Sequence, residues 1–229
     1  MLQATGAGMP GAARPRSPGR ASSFLGKPDA PGIRGARPAP LEDETLSTRL
    51  PTPRIEPLAE DELPEEARVN MGKGPTLNIF RTLGHHPDLV KRWLVFGNHV
   101  LGKSTLPARD REIAILRIGW LCRSAYEWGQ HVVIGKQCGL DDDDVRRIAE
   151  GADAPGWSPL EQAVIRAADE LHGDAFVTDE TWAALAEHYD TRQLMDLVFA
   201  IGQYNLVSMA LNSFGVQPEE GLPPLPELD

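Results

Sequence analysis

Residues 106–140 read LPARDREIAILRIGWLCRSAYEWGQHVVIGKQCGL, two apolar stretches of helical character separated by only a couple of residues. Pro107 stands where a first helical turn tolerates proline, and the run after it is apolar almost all round, the signature of a buried central helix. The second stretch begins at Ser124 and stops at Gly139, and so short a connection predicts that the two helices run antiparallel. Ser124-x-x-Glu127 has the form of a capping box, in which serine hydroxyl and glutamate carboxylate would each satisfy an orphan backbone donor. The same glutamate lies four residues before His131, a spacing that stacks both on one helical face together with Trp128, Ile134 and Gly135. Glu112 is expected on the first helix along the stripe of Ile115, Leu116 and Gly119. A carboxylate there is either buried, as general acids and bases often are, or paired with Arg109 or Arg111 near the surface.

Outward from this pair the chain continues as helix after helix. PDLVKRWLVFGNHVL (87–101) places Leu89, Trp93, Phe96 and Val100 at helical spacing. DDDDVRRIAEG (141–151) has its acids first and bases later, as the helix macrodipole favours. SPLEQAVIRAADELHG (158–173) carries a full start signal, with Ser158 as N-cap, Pro159 first and Glu161 third. TDETWAALAEHY (178–189) and the long TRQLMDLVFAIGQYNLVSMALNSFG (191–215) complete the set. Neither strand alternation nor a glycine-rich phosphate loop is present, so the expected fold is all-α: one helical domain over 51–216, a disordered Pro/Gly/Arg-rich tail and linker over 1–50, and a proline-rich C-terminal tail over 217–229.

Composition narrows the function classes. Residues 1–40 hold six basic residues and one acid, whereas the rest holds 17 basic and 32 acidic residues. An acidic body argues against nucleic acid or an anionic membrane as partner. No segment approaches about 18 consecutive apolar residues, and the N-terminal tail lacks the apolar core of a secretory signal. The two cysteines, Cys122 and Cys138, sit at opposite ends of one helix, roughly 20 Å apart and beyond disulfide reach. The expected location is the cytoplasm. His85, His86, His99 and His131 lack the i, i+3 or i+4 spacing of helix-borne metal ligands, so no metal site is expected. Tyr204, Asn205 and Ser208, in an otherwise apolar helix, could supply pocket polarity or helix–helix hydrogen bonds.

The 106–140 stretch resembles the core helical pair of the carboxymuconolactone decarboxylase and alkylhydroperoxidase D superfamily, with similarity extending from about Asn78 to Val216. The hydroperoxidase branch has a glutamate, eleven residues, CxxC, three residues and a histidine. Counted from Glu112, the cysteine positions fall on Ser124 and Glu127 and the histidine on His131. The thiols that reduce peroxide are thus missing, and Cys122 is displaced by two residues. The decarboxylase branch, with an aromatic after the glutamate and a histidine four residues on, is the closer match in Glu127, Trp128 and His131.

That resemblance implies a cofactor-independent, carboxymuconolactone decarboxylase-like carboxy-lyase of the alkylhydroperoxidase D-like fold, acting on a small organic acid or lactone. It would work with His131 as proton donor and Glu127 and Glu112 as its tuners or relay. Trp128, Ser124, His99 and Arg123 are the expected substrate-binding groups, with Arg111 and Arg117 as further candidate carboxylate clamps. It also implies a homotrimer or homohexamer. The alternatives are an alkylhydroperoxidase-like antioxidant enzyme and a non-enzymatic helical binding or assembly protein.

Overall fold

In the computed structural model, residues 48–68 and 75–227 are described; the expected N-terminal tail falls outside them except for its last three residues. Among these residues, a single 3-10 turn at Glu65–Ala67 is followed by eight helices: α1 (Asn78–Leu83), α2 (Pro87–Gly102), α3 (Ala108–Leu121), α4 (Ala125–Gln137), α5 (Asp142–Glu150), α6 (Pro159–Asp174), α7 (Asp179–Ala186) and α8 (Thr191–Phe214). Among the described residues there is no strand, and the all-α expectation holds. The six-residue α1 is the helix that periodicity did not reveal.

α3 is the axis of the molecule, packed against α4, α5, α6 and α8. Every residue from Asp110 to Gly119 is buried, so its charged side chains have to be paired inside the fold. Asp110 accepts a hydrogen bond from the Tyr189 hydroxyl at 2.6 Å. Arg117 pairs with Asp169 at 2.6 Å and donates to the Ile148 and Ala149 carbonyls, which the end of α5 would otherwise leave unsatisfied. Arg109 bridges Asp144 and Glu161, joining the starts of α5 and α6.

The α3–α4 connection turns over through Arg123 in the left-handed region (φ 50°). α4 returns antiparallel to α3: Gly119 lies against Glu127 and Trp128, while Gly135 lies against Leu116. Small residues let the helices and their flanks close up. A Cβ on Gly135 would stand 2.7 Å from Leu140 Cδ1, and one on Gly129 only 3.0 Å from Leu222 Cβ. The second contact belongs to the C-terminal segment, which lies along α4 and buries Leu225 in the main core cluster. Both cysteines are free.

Among the described residues α8 is the one helix long and apolar enough, by length and composition, to cross a membrane, and half of its most apolar window is buried within the fold. Polar groups interrupt it and tie it to neighbours: Asn205 accepts from the Cys122 thiol and Asn212 donates to the Cys122 carbonyl. In this structure it is a core helix.

Candidate active site

Antiparallel pairing brings Glu112 of α3 opposite His131 of α4, which sits one turn beyond Glu127. His131 Nδ1 is 2.6 Å from Glu112 Oε2, and His131 Nε2 is 3.0 Å from Glu127 Oε1. Arg111 donates to the other oxygen of Glu112 through Nε and Nη2. The residues are 0 % (Glu112), 4 % (Glu127) and 5 % (His131) exposed. Glu112 is therefore buried, and the pairing with Arg111 expected near the surface forms inside the fold instead.

Two carboxylates on the two ring nitrogens require two N–H donors, so His131 is held as imidazolium. Burial is the largest single influence on its pKa and opposes the charge; Glu127 and then Glu112 more than offset it, and the pKa is pushed up to about 10. The Tyr204 ring stands edge-on to the imidazole, with centroids 4.8 Å apart, and burial beside the two carboxylates holds its hydroxyl protonated.

Glu127 and His131 form part of the wall of a pocket of about 110 Å³ enclosed by α1, α2, α4 and α8. An engineered cavity of about 150 Å³ takes benzene, so this space suits a small ring. Its polar groups are Asn98, Gln130, Gln203, Tyr126 and Tyr204, and its apolar ones include Phe80, Trp93 and Ile134. Glu219 of the C-terminal segment braces the wall from behind. It accepts from the Asn78 amide at 2.7 Å, the Tyr126 hydroxyl at 3.1 Å and Gln130 Nε2 at 2.6 Å.

The other expected substrate-binding groups stand elsewhere. Trp128 packs in the core beside Trp120; one residue on from Glu127, it is turned about 100° around the helix, away from the pocket. His99 is largely exposed and pairs with Asp196 at 3.5 Å. Arg123 is exposed in the turn, and Arg117 is committed to Asp169. Ser124 is the N-cap residue of α4, but its side chain makes no capping bond and its buried Oγ has no partner. The capping box expected there does not form: Glu127 is bonded to His131, and the Ser124 amide that it would have accepted from donates instead to the Gly119 carbonyl at 2.9 Å.

Tyr204 and Asn205, grouped together in the sequence, divide their roles: Tyr204 lines the pocket, while Asn205 holds Cys122 and His172. Asn98, Gln130, Gln203 and Trp93 carried no sequence signal as lining residues, since only the crossing of α2, α4 and α8 brings them together. Among the described residues no group of three or more His, Cys, Asp or Glu is placed to hold a metal ion.

The architecture is that of alkylhydroperoxidase D-like proteins. An uncharacterized peroxidase-related protein of Ralstonia eutropha with the AhpD core is 19% identical, with 75% of this chain and 94% of that chain covered and a TM-score of 0.67. A peroxidase-related protein of Silicibacter sp. is 14% identical over 80% of this chain and 97% of that one, TM-score 0.62. The debrominase Bmp8, solved with 2,3,4-tribromopyrrole, is 18% identical over 72% and 91%, TM-score 0.60. Residues 87–170, the segment bearing Glu112, Glu127 and His131, match the sequence model of the carboxymuconolactone decarboxylase family. No curated protein matches the chain by sequence.

Proposed function

We propose that this protein is a cofactor-independent enzyme that moves protons on a small lactone or comparable uncharged carbonyl compound. Glu127 meets the substrate, and His131 with Glu112 stands behind it. The observation that carries this reading is the clamp on His131. With each ring nitrogen committed to a carboxylate, the imidazolium exchanges protons with a substrate through Glu127, which lines the pocket.

In the forward step the Glu127 carboxylate takes a proton from the carbon beside the carbonyl, and the C–H electron pair moves onto the carbonyl oxygen as an enolate. Tyr204, Gln203 and Asn98 are the lining donors able to hold that oxygen. Where the substrate carries a C=C next to that carbon, the anion is a dienolate, and returning the proton to its far carbon completes a double-bond shift with no net change of atoms. A carboxy-lyase, which the family name suggests, would reach the same enolate by breaking the C–CO2 bond. Its proton would come from His131 by way of Glu127 and be replaced from solvent. An uncharged substrate is favoured, because no lysine or arginine is among the described lining residues to hold a carboxylate.

Thiol-dependent peroxide reduction finds less support. The lining contains no cysteine, and burial pushes the Cys122 thiol up, away from the reactive thiolate. The protein is further proposed to be a homo-oligomer, a trimer or hexamer by resemblance. Met195, Phe199, Leu206 and Met209 lie on one face of α8 and are all more than half exposed.

The test is a turnover screen of small unsaturated lactones, keto esters and keto acids, with bicarbonate release read alongside. Lactone or ester turnover that falls about 10²- to 10⁴-fold in Glu127→Gln is expected. Turnover untouched by that substitution rejects the reading, and a keto acid as sole substrate, with bicarbonate released, replaces it by the carboxy-lyase.

A further inference from the structure

A second cavity, also of about 110 Å³, adjoins the first and is lined entirely by apolar residues, among them Leu83, Val90, Leu206, Leu211 and Phe214. The two cavities share Ile79, Trp93 and Val207 as a common wall. Trp93 holds the one heteroatom on the lining side chains of the second cavity, its indole Nε1, and that donor is buried without a partner. An orphaned buried donor is destabilising, and an oxygen brought to it by a ligand would remove the cost.

Charge points the same way. Among the described residues, the one positively charged side chain lining the first pocket is His131, and both its nitrogens are spent on carboxylates. Glu127 lines the same wall, and Glu219 lies just behind Tyr126 and Gln130. An anionic head group would meet one carboxylate at contact distance and a second close behind, with no free cation among the described lining residues to balance it.

We propose that the natural ligand is an uncharged amphiphile, a lactone or similar cyclic ester with a hydrocarbon tail. Its head lies against Glu127, an oxygen accepts from Trp93 Nε1, and its tail fills the apolar cavity between α2 and α8. The identity of the head rests on the proton-transfer reading above; the tail and the absence of charge rest on the two cavities alone.

The probes are γ-lactones from γ-butyrolactone to γ-dodecalactone and the 4-hydroxyalkanoates made by opening the same rings. Binding is read by calorimetry and tryptophan fluorescence at pH 8 on the full-length wild-type protein. Lactone affinity is expected to rise about fourfold per added methylene until the cavity is full, with each opened acid about tenfold or more weaker than its lactone. Ala210→Phe, which fills the apolar cavity, should collapse the chain-length increment. If that variant fails to fold, the wild-type series still decides.

A flat lactone series overturns the tail site, and acids binding as tightly as lactones overturn the charge selection. Chain-dependent lactone binding without turnover of any unsaturated lactone sinks the proton-transfer reading and leaves this one standing. Turnover of short unsaturated lactones with a flat binding series does the reverse.

Discussion

Two helices of this protein begin with the same pattern, Ser-x-x-Glu, and use it differently. At the start of α6, Ser158 Oγ accepts from the Glu161 amide at 3.3 Å and Glu161 Oε2 accepts from the Ser158 amide at 2.9 Å, a complete capping box. At the start of α4, Ser124 makes no such bond and Glu127 is bonded to His131 instead. Glu161 is partly exposed, and its pairing with Arg109 runs through the other oxygen, Oε1, so it serves cap and ion pair together. Glu127 is buried beside an imidazolium four residues on, and that interaction outweighs a cap worth about 1 kcal/mol. The pattern specifies a cap only where tertiary structure leaves the carboxylate free to make it.

The sharpest way to break the contrast is to neutralise each glutamate. Glu127→Gln should lower turnover on a substrate found by the lactone screen by about 10² to 10⁴ and let the His131 pKa fall, since one of its two stabilising charges is gone. Glu161→Gln should leave turnover and the His131 titration where they are. Steady-state kinetics and NMR of the labelled imidazole read both. Equal activity of the two variants would return Glu127 to the status of a helix-start residue.

The same buried pair makes a prediction about pH. The folded pKa of His131 is raised from the ordinary 6.5 to about 10. The folded state therefore binds a proton that the unfolded chain loses above about pH 6.5. The resulting stabilisation, on the order of a few kcal/mol, is full below pH 6.5, declines between 6.5 and 10, and is absent above. Urea unfolding of wild type and His131→Gln should show a stability gap that is widest near pH 6 and narrows toward pH 10. A gap independent of pH would mean that His131 is neutral in the fold.

Most of the fold was legible because α2 to α8 are long enough for periodicity, prolines and start residues to agree. α1 was not, since six residues hold too little pattern. The site was half legible. The spacing of Glu127 and His131 and the short turn before α4 pointed to a shared face and an antiparallel return, and together these place Glu112 opposite His131. The pocket was not legible, because Asn98, Trp93 and Gln203 belong to helices whose crossing with α4 is set by side-chain packing. Trp128 was expected among the substrate-binding groups, yet a single step along a helix from Glu127 turns its side chain into the core. Glu219, in a proline-rich segment without periodicity, gave no sign that it braces Tyr126 and Gln130.

The glycines of the two helices sharpen the comparison further. Propensity alone says that alanine should replace helical glycine with a gain of up to about 1 kcal/mol. In α6, no atom lies within 4 Å of where a methyl on Gly173 would stand, and Gly173→Ala should stabilise. In α4 the sign reverses. Gly135→Ala drives a methyl into Leu140, and Gly129→Ala into Leu222 and the Pro223 carbonyl. Each should destabilise by about 1 to 3 kcal/mol, as overpacking does. Thermal melts of the three variants check the signs; a stabilised Gly129→Ala would show that the C-terminal segment does not hold its place on α4.

The smallest effect separates the two serines. Ser158→Ala removes a hydroxyl that caps α6 and should cost about 0.5 to 2 kcal/mol. Ser124 sits at the equivalent position, but its hydroxyl is buried and unpartnered, so it already bears a desolvation cost without a bond to offset it. Replacing it by alanine removes that cost and leaves a gap of one oxygen atom, two terms of opposite sign and similar size. The net change should lie within about 0.5 kcal/mol of zero, with turnover retained because Ser124 does not line the pocket. A loss of about 1 kcal/mol or more would reveal that Ser124 caps α4 in solution. It would then follow that the Ser124 hydroxyl accepts from a first-turn amide of α4 while the Glu127 carboxylate stays on His131, and the distinction between the two helix starts would be one of degree.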